Sequence, residues 1–237
     1  MPTSWKAKVK RLVPASVYNQ AMLTLPFLYR TDLLSYETNL QDGRGIDDLL
    51  SQLAIVAKLP GDIVECGSSR CGASIIMANY LRAQGVKKTI YACDSYEGFD
   101  LAELESENES NLTKARSNAF TSTSYEYVVK KISRLGCEDY VVPVKGFFKD
   151  TLPGLTKDKL FSMALIDCDL YDSMLYCTNE VWSRLTPGGR IVFDDYTSED
   201  FKGSKQAIDE FVAANADDIA QHGLLNRLYY VQKPSEA

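Results

Sequence analysis

Short apolar runs alternate with segments of helical period along most of this chain, and this alternation constrains the fold more than any other feature. Strands separated by helices of about 10–15 residues are typical of βαβ units, so we expect an α/β fold with a doubly wound, mostly parallel sheet. The runs that predict strands are residues 61–67, 88–93, 140–144, 161–166, 190–193 and 227–232. Helices are predicted by the period of residues 45–59, 73–81, 124–135, 171–185 and 205–214.

Length and composition fit one globular domain. The chain has 237 residues, of which 45% are hydrophobic and 24% charged. We place the domain at residues 45–237 and treat residues 1–44 as an N-terminal extension. The net charge of −6 disfavours nucleic acid as a partner, because such a surface repels phosphate backbones.

The N-terminal extension carries two features that need an interpretation. Its basic cluster, Lys6, Lys8, Lys10 and Arg11, is typical of a solvated helix face or arm. The uncharged stretch from Leu12 to Tyr29 is interrupted by prolines and amides, so it suits neither a signal peptide nor a membrane span. We expect it to pack on the domain without stable membrane insertion.

Cysteine usage indicates the redox compartment. No CxxC pair occurs, and several of the six cysteines lie inside apolar runs. This is the usage of small buried hydrophobic side chains in a reducing compartment, so we expect the cytoplasm.

The residues after each predicted strand are the candidate ligand-binding residues, because ligands of such sheets bind at the carboxyl ends of the strands. The first strand leads into Glu65, Gly67 and Ser68, in a glycine-containing loop without the G-x-G-x-x-G of a dinucleotide site. Such a loop suits a ligand without phosphates. Asp94 ends the second strand, the position at which an acidic residue binds ribose hydroxyls in nucleotide-binding sheets. The run from Asp94 to Glu109 has seven acids and no base, which predicts a solvated loop or, alternatively, a lid.

Three aspartates follow two strands that we expect to be neighbours. Asp167 ends one strand, and Asp194 and Asp195 end the next. Carboxylates this close repel one another unless a cation neutralises them, and oxygen ligands favour Mg²⁺. The alternative is that one caps a helix and another pairs with a basic residue. A metal beside a nucleoside-type pocket predicts activation of a substrate hydroxyl. Asp169 is then the first candidate base and Lys145 the second, although a surface lysine or a cation partner to the acids is the favoured interpretation of Lys145.

Five stretches in order give the chain a resemblance to class I S-adenosylmethionine-dependent methyltransferases, and more narrowly to the macrocin O-methyltransferase (TylF-type) family. They are residues 61–67 (GDIVECG), 94–99 (DSYEGF), 146–153 (GFFKDTLP), 167–173 (DCDLYDS) and 187–196 (PGGRIVFDDY). The resemblance covers about residues 45–215. It implies a Rossmann-like sheet of seven strands, a helical N-terminal extension that covers the substrate, and a cytoplasmic enzyme of natural product biosynthesis. The family is often oligomeric.

The resemblance also implies roles for individual residues. Residues 65–68 would hold the methionine part of S-adenosylmethionine, Asp94 and Ser95 its ribose, and Gly146 and Phe147 its adenine, with Asp167 beside the cofactor. Asp167, Asp194 and Asp195 match the family's magnesium ligands, and Asp169 matches its proposed base.

Together with the aspartate pattern, the resemblance implies a Mg²⁺-dependent O-methyltransferase that acts on one hydroxyl of a vicinal diol, with a sugar of a natural product as the expected acceptor. A catechol-type enzyme would use the same metal on a flat aromatic diol, and aromatic rather than polar pocket walls would favour it. A protein that binds S-adenosylmethionine without catalysis is a third interpretation, disfavoured because all the acids are present. The missing G-x-G-x-x-G argues against an NAD enzyme.

Overall fold

A computed structural model describes residues 44–236 together with residues 14, 16, 17, 37, 38 and 40. The basic cluster and most of the uncharged stretch predicted above lie outside the described residues. No helix among the described residues is long and apolar enough to cross a membrane.

Seven strands form one sheet, in the order β3-β2-β1-β4-β5-β7-β6. Strands β1 to β5 are parallel, and β7 pairs antiparallel with both β5 and β6. The strands are β1 (Asp62–Cys66), β2 (Ile90–Asp94), β3 (Val141–Lys145), β4 (Phe161–Ile166), β5 (Leu185–Phe193), β6 (Gln221–Leu224) and β7 (Tyr229–Gln232). This confirms the mostly parallel α/β fold and the neighbouring positions of β4 and β5.

Helices cover both faces of the sheet, as a doubly wound fold requires. They are α1 (Arg44–Val56), α2 (Gly72–Ala83), α3 (Leu101–Glu109), α4 (Tyr125–Arg134), α5 (Phe148–Asp158), α6 (Tyr171–Ser183) and α7 (Lys202–Ala214). Apolar residues of α1, α2 and α4 pack on one face, around Ile63 and Leu165. Those of α5, α6 and α7 pack on the other, around Val64 and Ile166. Alternate side chains of β1 and β4 therefore enter two separate cores.

Several elements differ from the sequence-based expectation. Helix α3 occupies much of the acidic run, so the prediction of a solvated loop there was wrong. Helix α5 was not predicted because Pro153 lies inside it. Strand β6 was missed because its four residues (QHGL) have no strand pattern and pair only with β7. Strand β5 begins at Leu185, ahead of the Pro-Gly-Gly turn, because Leu185 pairs with Phe161 before the register shifts.

All six cysteines are buried and free. This agrees with the interpretation of these residues as small apolar side chains.

Candidate active site

A cavity of about 580 Å³ lies at the carboxyl ends of β1, β2, β4 and β5. Residues within two positions of the ends of these strands line it, as the topology of the sheet predicts. Among the residues predicted from sequence, the cavity is lined by Glu65, Gly67, Ser68, Asp94, Ser95, Phe147, Asp167, Asp169 and Asp195.

The loop after β1 brings the backbone of two strands into close contact. Gly67 has φ +90°, and a Cβ built there would lie 1.8 Å from the carbonyl oxygen of Asp167. Only glycine permits this approach. Helix α2 follows, and its N-cap residue Cys71 makes no side-chain capping bond. Because Gly72 and Ala73 of its first turn line the cavity, the N–H groups of that turn are placed to meet a ligand.

Asp94 organises the two loops beside it. Its carboxylate accepts hydrogen bonds from the backbone N–H of Ser69 (2.8 Å) and of Tyr96 (2.6 Å). The Ser95 hydroxyl donates to the Gly98 carbonyl oxygen (2.6 Å) and thereby closes the turn. Burial raises the pKa of the Asp94 carboxyl. The backbone of the loops after β1 and β2 is therefore fixed by side chains at the end of β2.

Glu65 is a buried carboxyl group at the inner wall of the cavity. Ser74 on α2 donates a hydrogen bond to it. Burial raises its pKa to about 8, and nearby Asp94 adds to this effect. At neutral pH most of the Glu65 side chains carry a proton.

Asp167, Asp194 and Asp195 converge as the sequence predicts. Each offers a carboxylate oxygen, and these oxygens lie within 4.8 Å of one another. Asp194 is only 1% exposed, and Arg227 pairs with it through Nε (3.1 Å) and Nη2 (2.9 Å). Pairing with a basic residue, the alternative to a metal, thus applies to Asp194. Asp167 and Asp195, the other two aspartates of the cluster, line the cavity.

Asp169 and Asp195 are crowded against each other. The backbone of each is in the left-handed region, with φ +65° and +59°, a conformation that aspartate tolerates better than most residues. Burial, followed by the charges of Asp195 and Asp167, raises the pKa of Asp169 well above its ordinary value. Burial also raises the pKa of Asp195. The cluster therefore holds more carboxyl groups than Arg227 alone neutralises.

The acidic helix α3 binds the N-terminus of α6. Glu103 accepts hydrogen bonds from the backbone N–H and the hydroxyl of Ser173 (both 2.6 Å), and Glu107 accepts from the backbone N–H of Tyr171. These carboxylates cap a helix whose own N-cap, Leu170, makes no side-chain bond. Asp100 and Glu103 also line the cavity, which favours the lid interpretation of this segment.

Replacement of Glu107 with glutamine should make unfolding less dependent on pH. Burial raises the Glu107 pKa from 4.5 to about 7, so the folded state binds this proton more tightly than the unfolded state. The stabilisation of the folded state by this proton is fully present below about pH 4.5 and is lost as pH rises through 7. The stability of Glu107→Gln relative to the unchanged chain should increase over that range by at most ~3 kcal/mol.

Urea unfolding at several pH values measures this difference. The matched control is Glu105→Gln, because Glu105 is exposed on the same helix. If the free energy of unfolding of Glu107→Gln changed with pH in parallel with that of the unchanged chain, the burial of an ionisable Glu107 would be contradicted.

Lys145 lies apart from the aspartates. Its Nζ pairs with Glu97 at 2.9 Å with both side chains largely exposed, and this pair raises its pKa. A lysine base needs the opposite shift. Lys145 is also absent from the described residues that line the cavity, as is its neighbour Gly146. The surface-lysine interpretation fits this geometry.

The end of the N-terminal extension contributes to the site. Glu37 accepts from Arg70 Nη1 (2.9 Å), Lys131 Nζ (3.0 Å) and the Tyr127 hydroxyl (2.5 Å), and all these groups are buried. Burial alone would raise the Glu37 pKa, but Lys131 and Arg70 outweigh it and the pKa is lowered. Glu37 and Thr38 line the cavity. Glu37 of the extension is therefore joined to Arg70 in the loop after β1.

Comparison with protein families identifies the relatives of this chain. The profile of the macrocin-O-methyltransferase (TylF) family matches residues 44–222. The chain belongs to this family. The TylF match spans β1 to β5, the first two residues of β6 and every aspartate of the cluster.

A curated relative agrees with this assignment. The 8-demethyl-8-(2,3-dimethoxy-α-L-rhamnosyl)-tetracenomycin-C 4′-O-methyltransferase of Streptomyces olivaceus is 34% identical over 178 residues, which cover 73% of this chain. The chain spans 62% of the length of that curated relative.

Two solved structures share the class I methyltransferase fold. The O-methyltransferase NovP has a TM-score of 0.67 at 22% identity, covering 93% of this chain and 99% of NovP. An O-methyltransferase from Bacillus cereus in complex with SAH has a TM-score of 0.54 at 15% identity, covering 98% of each chain.

Some residues of the TylF site carry no signal in the sequence. Arg227 lies 33 residues from Asp194. Glu37 lies 33 residues from Arg70 and more than 90 from Lys131. Ion pairs between residues so far apart in sequence leave no periodic pattern from which they could be predicted. Phe120 and Phe201, which line the cavity, lie in irregular segments where an isolated aromatic residue predicts nothing. Only the end of a strand marks a residue as a site candidate, and none of these residues ends one.

Proposed function

We propose that this chain is an S-adenosylmethionine- and Mg²⁺-dependent O-methyltransferase that acts on one hydroxyl of a vicinal diol in the sugar of a natural product. The observation that carries the proposal is the aspartate cluster at the ends of β4 and β5, beside a cavity built for a ligand. Membership of the TylF family and the rhamnosyl substrate in the name of the Streptomyces olivaceus relative support the reaction and the acceptor class.

The residues of the cluster fit a hard divalent cation. Asp167, Asp194 and Asp195 provide only carboxylate oxygens, the donor set that Mg²⁺ prefers. Pairing with Arg227 leaves acceptor capacity on Asp194, because an ionised carboxylate has about four lone-pair sites. Bound Mg²⁺ would hold two adjacent hydroxyl oxygens of the acceptor and lower the pKa of the one to be methylated.

The loops after β1 and β2 fit S-adenosylmethionine. The uncapped first turn of α2 and the close approach at Gly67 offer backbone N–H groups to an amino-acid carboxylate. Asp94 and Ser95 lie where ribose hydroxyls are bound in related sheets. The cofactor would supply the methyl group. Asp169 lines the same cavity, which supports it as the residue that would accept the hydroxyl proton.

A thermal melt tests both ligands without requiring the acceptor. S-adenosylhomocysteine at about 100 times its Kd adds about 2.7 kcal/mol of stability, which raises the midpoint of a chain of this size by about 5–10 °C. We expect this shift with S-adenosylhomocysteine and none with NAD, and a further shift with Mg²⁺. A shift with NAD alone would overturn the proposal, and the absence of any Mg²⁺ effect in melts and in methyl-transfer assays would overturn its metal part.

A catechol-type reaction is the second candidate, because the cavity has aromatic as well as acidic walls. Phe99, Phe120 and Phe201 line it together with the aspartates. The same metal would hold the two hydroxyls of a catechol. Methyl transfer to a simple catechol but to no glycoside would establish this alternative.

Cofactor binding should release a proton from Glu65. The Glu65 pKa is about 8 in the free protein, and a ligand ammonium group beside the carboxyl would favour its ionised form. The affinity for S-adenosylhomocysteine should therefore increase as pH rises from about 6 to about 8. In Glu65→Gln this dependence should disappear.

Calorimetry in two buffers of different ionisation enthalpy counts the released protons directly. Glu105→Gln is again the control, because it makes the same replacement on an exposed side chain. Equal proton release by the unchanged chain and by Glu65→Gln would show that another group titrates.

A further inference from the structure

The turn between β6 and β7 brings Arg227 to the carboxyl end of β5. Because β7 runs antiparallel to β5, Tyr229 at the start of β7 pairs with Phe193 at the end of β5. Arg227 lies two residues before Tyr229, and Asp194 lies one residue after Phe193. The topology of the sheet therefore places this arginine beside the aspartate cluster.

Helix α1 holds the turn through one buried carboxylate, that of Asp48. It accepts hydrogen bonds from Asn226 Nδ2 (2.7 Å) and from the backbone N–H groups of Arg227 (2.7 Å) and Leu228 (3.1 Å). Asp48 is 3% exposed, and hydrogen bonds to a charged group are stronger than those between neutral groups. Asp48 is not among the described residues that line the cavity. It nevertheless fixes the backbone from which the Arg227 side chain extends.

The aliphatic part of Arg227 packs on the first turn of α1. A Cβ built at Gly45 would lie 3.1 Å from Arg227 Cδ and 3.0 Å from Leu40 Cδ2. Contacts this close leave the side chain little room to move sideways. Helix α1 therefore positions Arg227 twice, through its backbone and through its stem.

The guanidinium of Arg227 engages both oxygens of Asp194. Nε donates to Oδ1 (3.1 Å) and Nη2 donates to Oδ2 (2.9 Å). This is the planar fork in which arginine binds a carboxylate through two parallel hydrogen bonds. A cation that chelated both oxygens of Asp194 would have to approach along the same edge of the carboxylate, between Oδ1 and Oδ2. The fork occupies that edge, so a cation can use Asp194 through one oxygen only.

Cations differ in how well they accept this restriction. Ca²⁺ takes six to eight oxygen ligands and often binds a carboxylate through both oxygens, whereas Mg²⁺ requires near-ideal octahedral geometry with six ligands. A carboxylate limited to one oxygen costs Ca²⁺ a ligand and costs Mg²⁺ none.

We propose that Arg227, positioned by Asp48, restricts Asp194 to ligation through one oxygen and makes the aspartate cluster favour Mg²⁺ over Ca²⁺. This inference rests on the proposed function, whose metal part it extends. Arg227 is then the residue that determines the choice of cation, and Asp48 is a positioning residue that acts through it.

Competition against Mn²⁺ on the full chain tests the inference, because the electron paramagnetic resonance signal of free Mn²⁺ falls as the ion binds. Mg²⁺ and Ca²⁺ are titrated separately as competitors, and the ratio of their affinities is the measured quantity. Both cations carry the same charge, so a change in the charge of the cluster alters both affinities nearly equally. The ratio therefore reports the mode of ligation.

The unchanged chain should bind Mg²⁺ more tightly than Ca²⁺. In Arg227→Lys the ratio should shift toward Ca²⁺ by about fivefold or more, because lysine keeps the charge but lacks the fork. Arg227→Met should give a similar shift in the ratio. The matched control is Arg184→Met: Arg184 donates to the carbonyl oxygens of Lys157 and Lys159 at the opposite end of the sheet, and its loss should leave the ratio unchanged.

Variants of Asp48 test the positioning role. Asp48→Ala should shift the ratio in the same direction as Arg227→Met, and the double variant should shift it no further than Arg227→Met alone. Asp48→Asn should retain most of the preference, because its amide oxygen can still accept from the backbone of the turn. The control is Asp62→Ala, which removes a carboxylate that accepts from the Thr89 N–H (2.9 Å) at the amino end of β1.

Three results would overturn the inference alone: tighter binding of Ca²⁺ than of Mg²⁺ by the unchanged chain, a ratio that persists in Arg227→Lys, and additive shifts in the double variant. The second would show that charge and not the fork matters, and the third that Asp48 acts by another route. Arg227→Lys keeps Asp48 and the turn intact, so the test does not depend on whether Asp48→Ala folds. Binding of none of the three cations would instead refute the metal part of the proposed function and this inference with it, so the two failures are distinguishable.

Discussion

Asparagine in place of Asp195 should lower methyl transfer by ~10³-fold at a fixed Mg²⁺ concentration. Loss of one carboxylate ligand weakens both the binding of the metal and its stabilisation of the hydroxyl oxygen, and ~4 kcal/mol corresponds to this factor. Asn is the suitable replacement because the backbone of Asp195 has φ +59°, where asparagine is tolerated as well as aspartate. The affinity for S-adenosylhomocysteine should change by less than about threefold, since Asp195 lies outside the loops after β1 and β2.

Mg²⁺ titration of initial rates, together with calorimetry of S-adenosylhomocysteine, separates these effects. Glu199→Gln is the matched control: the side chain is exposed, four residues from Asp195, and is not among the described cavity-lining residues. Asp169→Asn should instead lower kcat by ~10²-fold or more with little change in the Mg²⁺ midpoint, as expected for a base. An Asp195→Asn enzyme with unchanged Mg²⁺ dependence would remove Asp195 from the ligand set.

The convergence of the aspartates was predictable because it depends only on topology. Once β4 and β5 are recognised as adjacent parallel strands, Asp167 and Asp195 must follow them at the same edge of the sheet. The pattern of apolar residues predicts where the strands lie in the sequence. The ends of the strands then predict which residues lie at the carboxyl edge of the sheet. No detail of side-chain packing is needed for this inference.

The remainder of the site depends on contacts that local sequence patterns do not encode. Helix α3 has few apolar residues, and it is anchored by Glu103 and Glu107 on an N-terminus more than 60 residues away. The pairing of Asp194 with Arg227 requires β7 to lie beside β5, which the strand pattern alone does not specify. Such features follow from tertiary structure, so the acidic run was interpreted by composition and was wrongly predicted as a loop.

Replacement of Glu37 with glutamine should cost ~3–5 kcal/mol of unfolding free energy, the range expected when one partner of a buried ion pair is removed. The variant keeps the shape of the side chain but takes away the carboxylate shared by Arg70 and Lys131, which are 4% and 0% exposed. Lys131 also donates to the Arg70 carbonyl oxygen (2.7 Å), so the loop that lines the cavity should loosen. We therefore expect weaker binding of S-adenosylhomocysteine as well.

A double-mutant cycle with Lys131→Met distinguishes the charge from the packing. Lys131→Met leaves Glu37 paired with Arg70, and the double variant carries one buried cation fewer than Glu37→Gln alone. The double variant should therefore lose less free energy of unfolding than the two single variants lose together. The difference, which is the coupling energy between Glu37 and Lys131, should exceed about 1 kcal/mol in urea unfolding. Asp209→Asn, which breaks the exposed pair with Lys205, should cost less than about 1 kcal/mol. If Glu37→Gln costs no more than Asp209→Asn, the network does not fasten Glu37 to the domain, and other contacts, such as the hydrogen bonds from Ser69 N–H to Asp94 and from Gly67 N–H to the Cys93 carbonyl oxygen, hold the loop after β1.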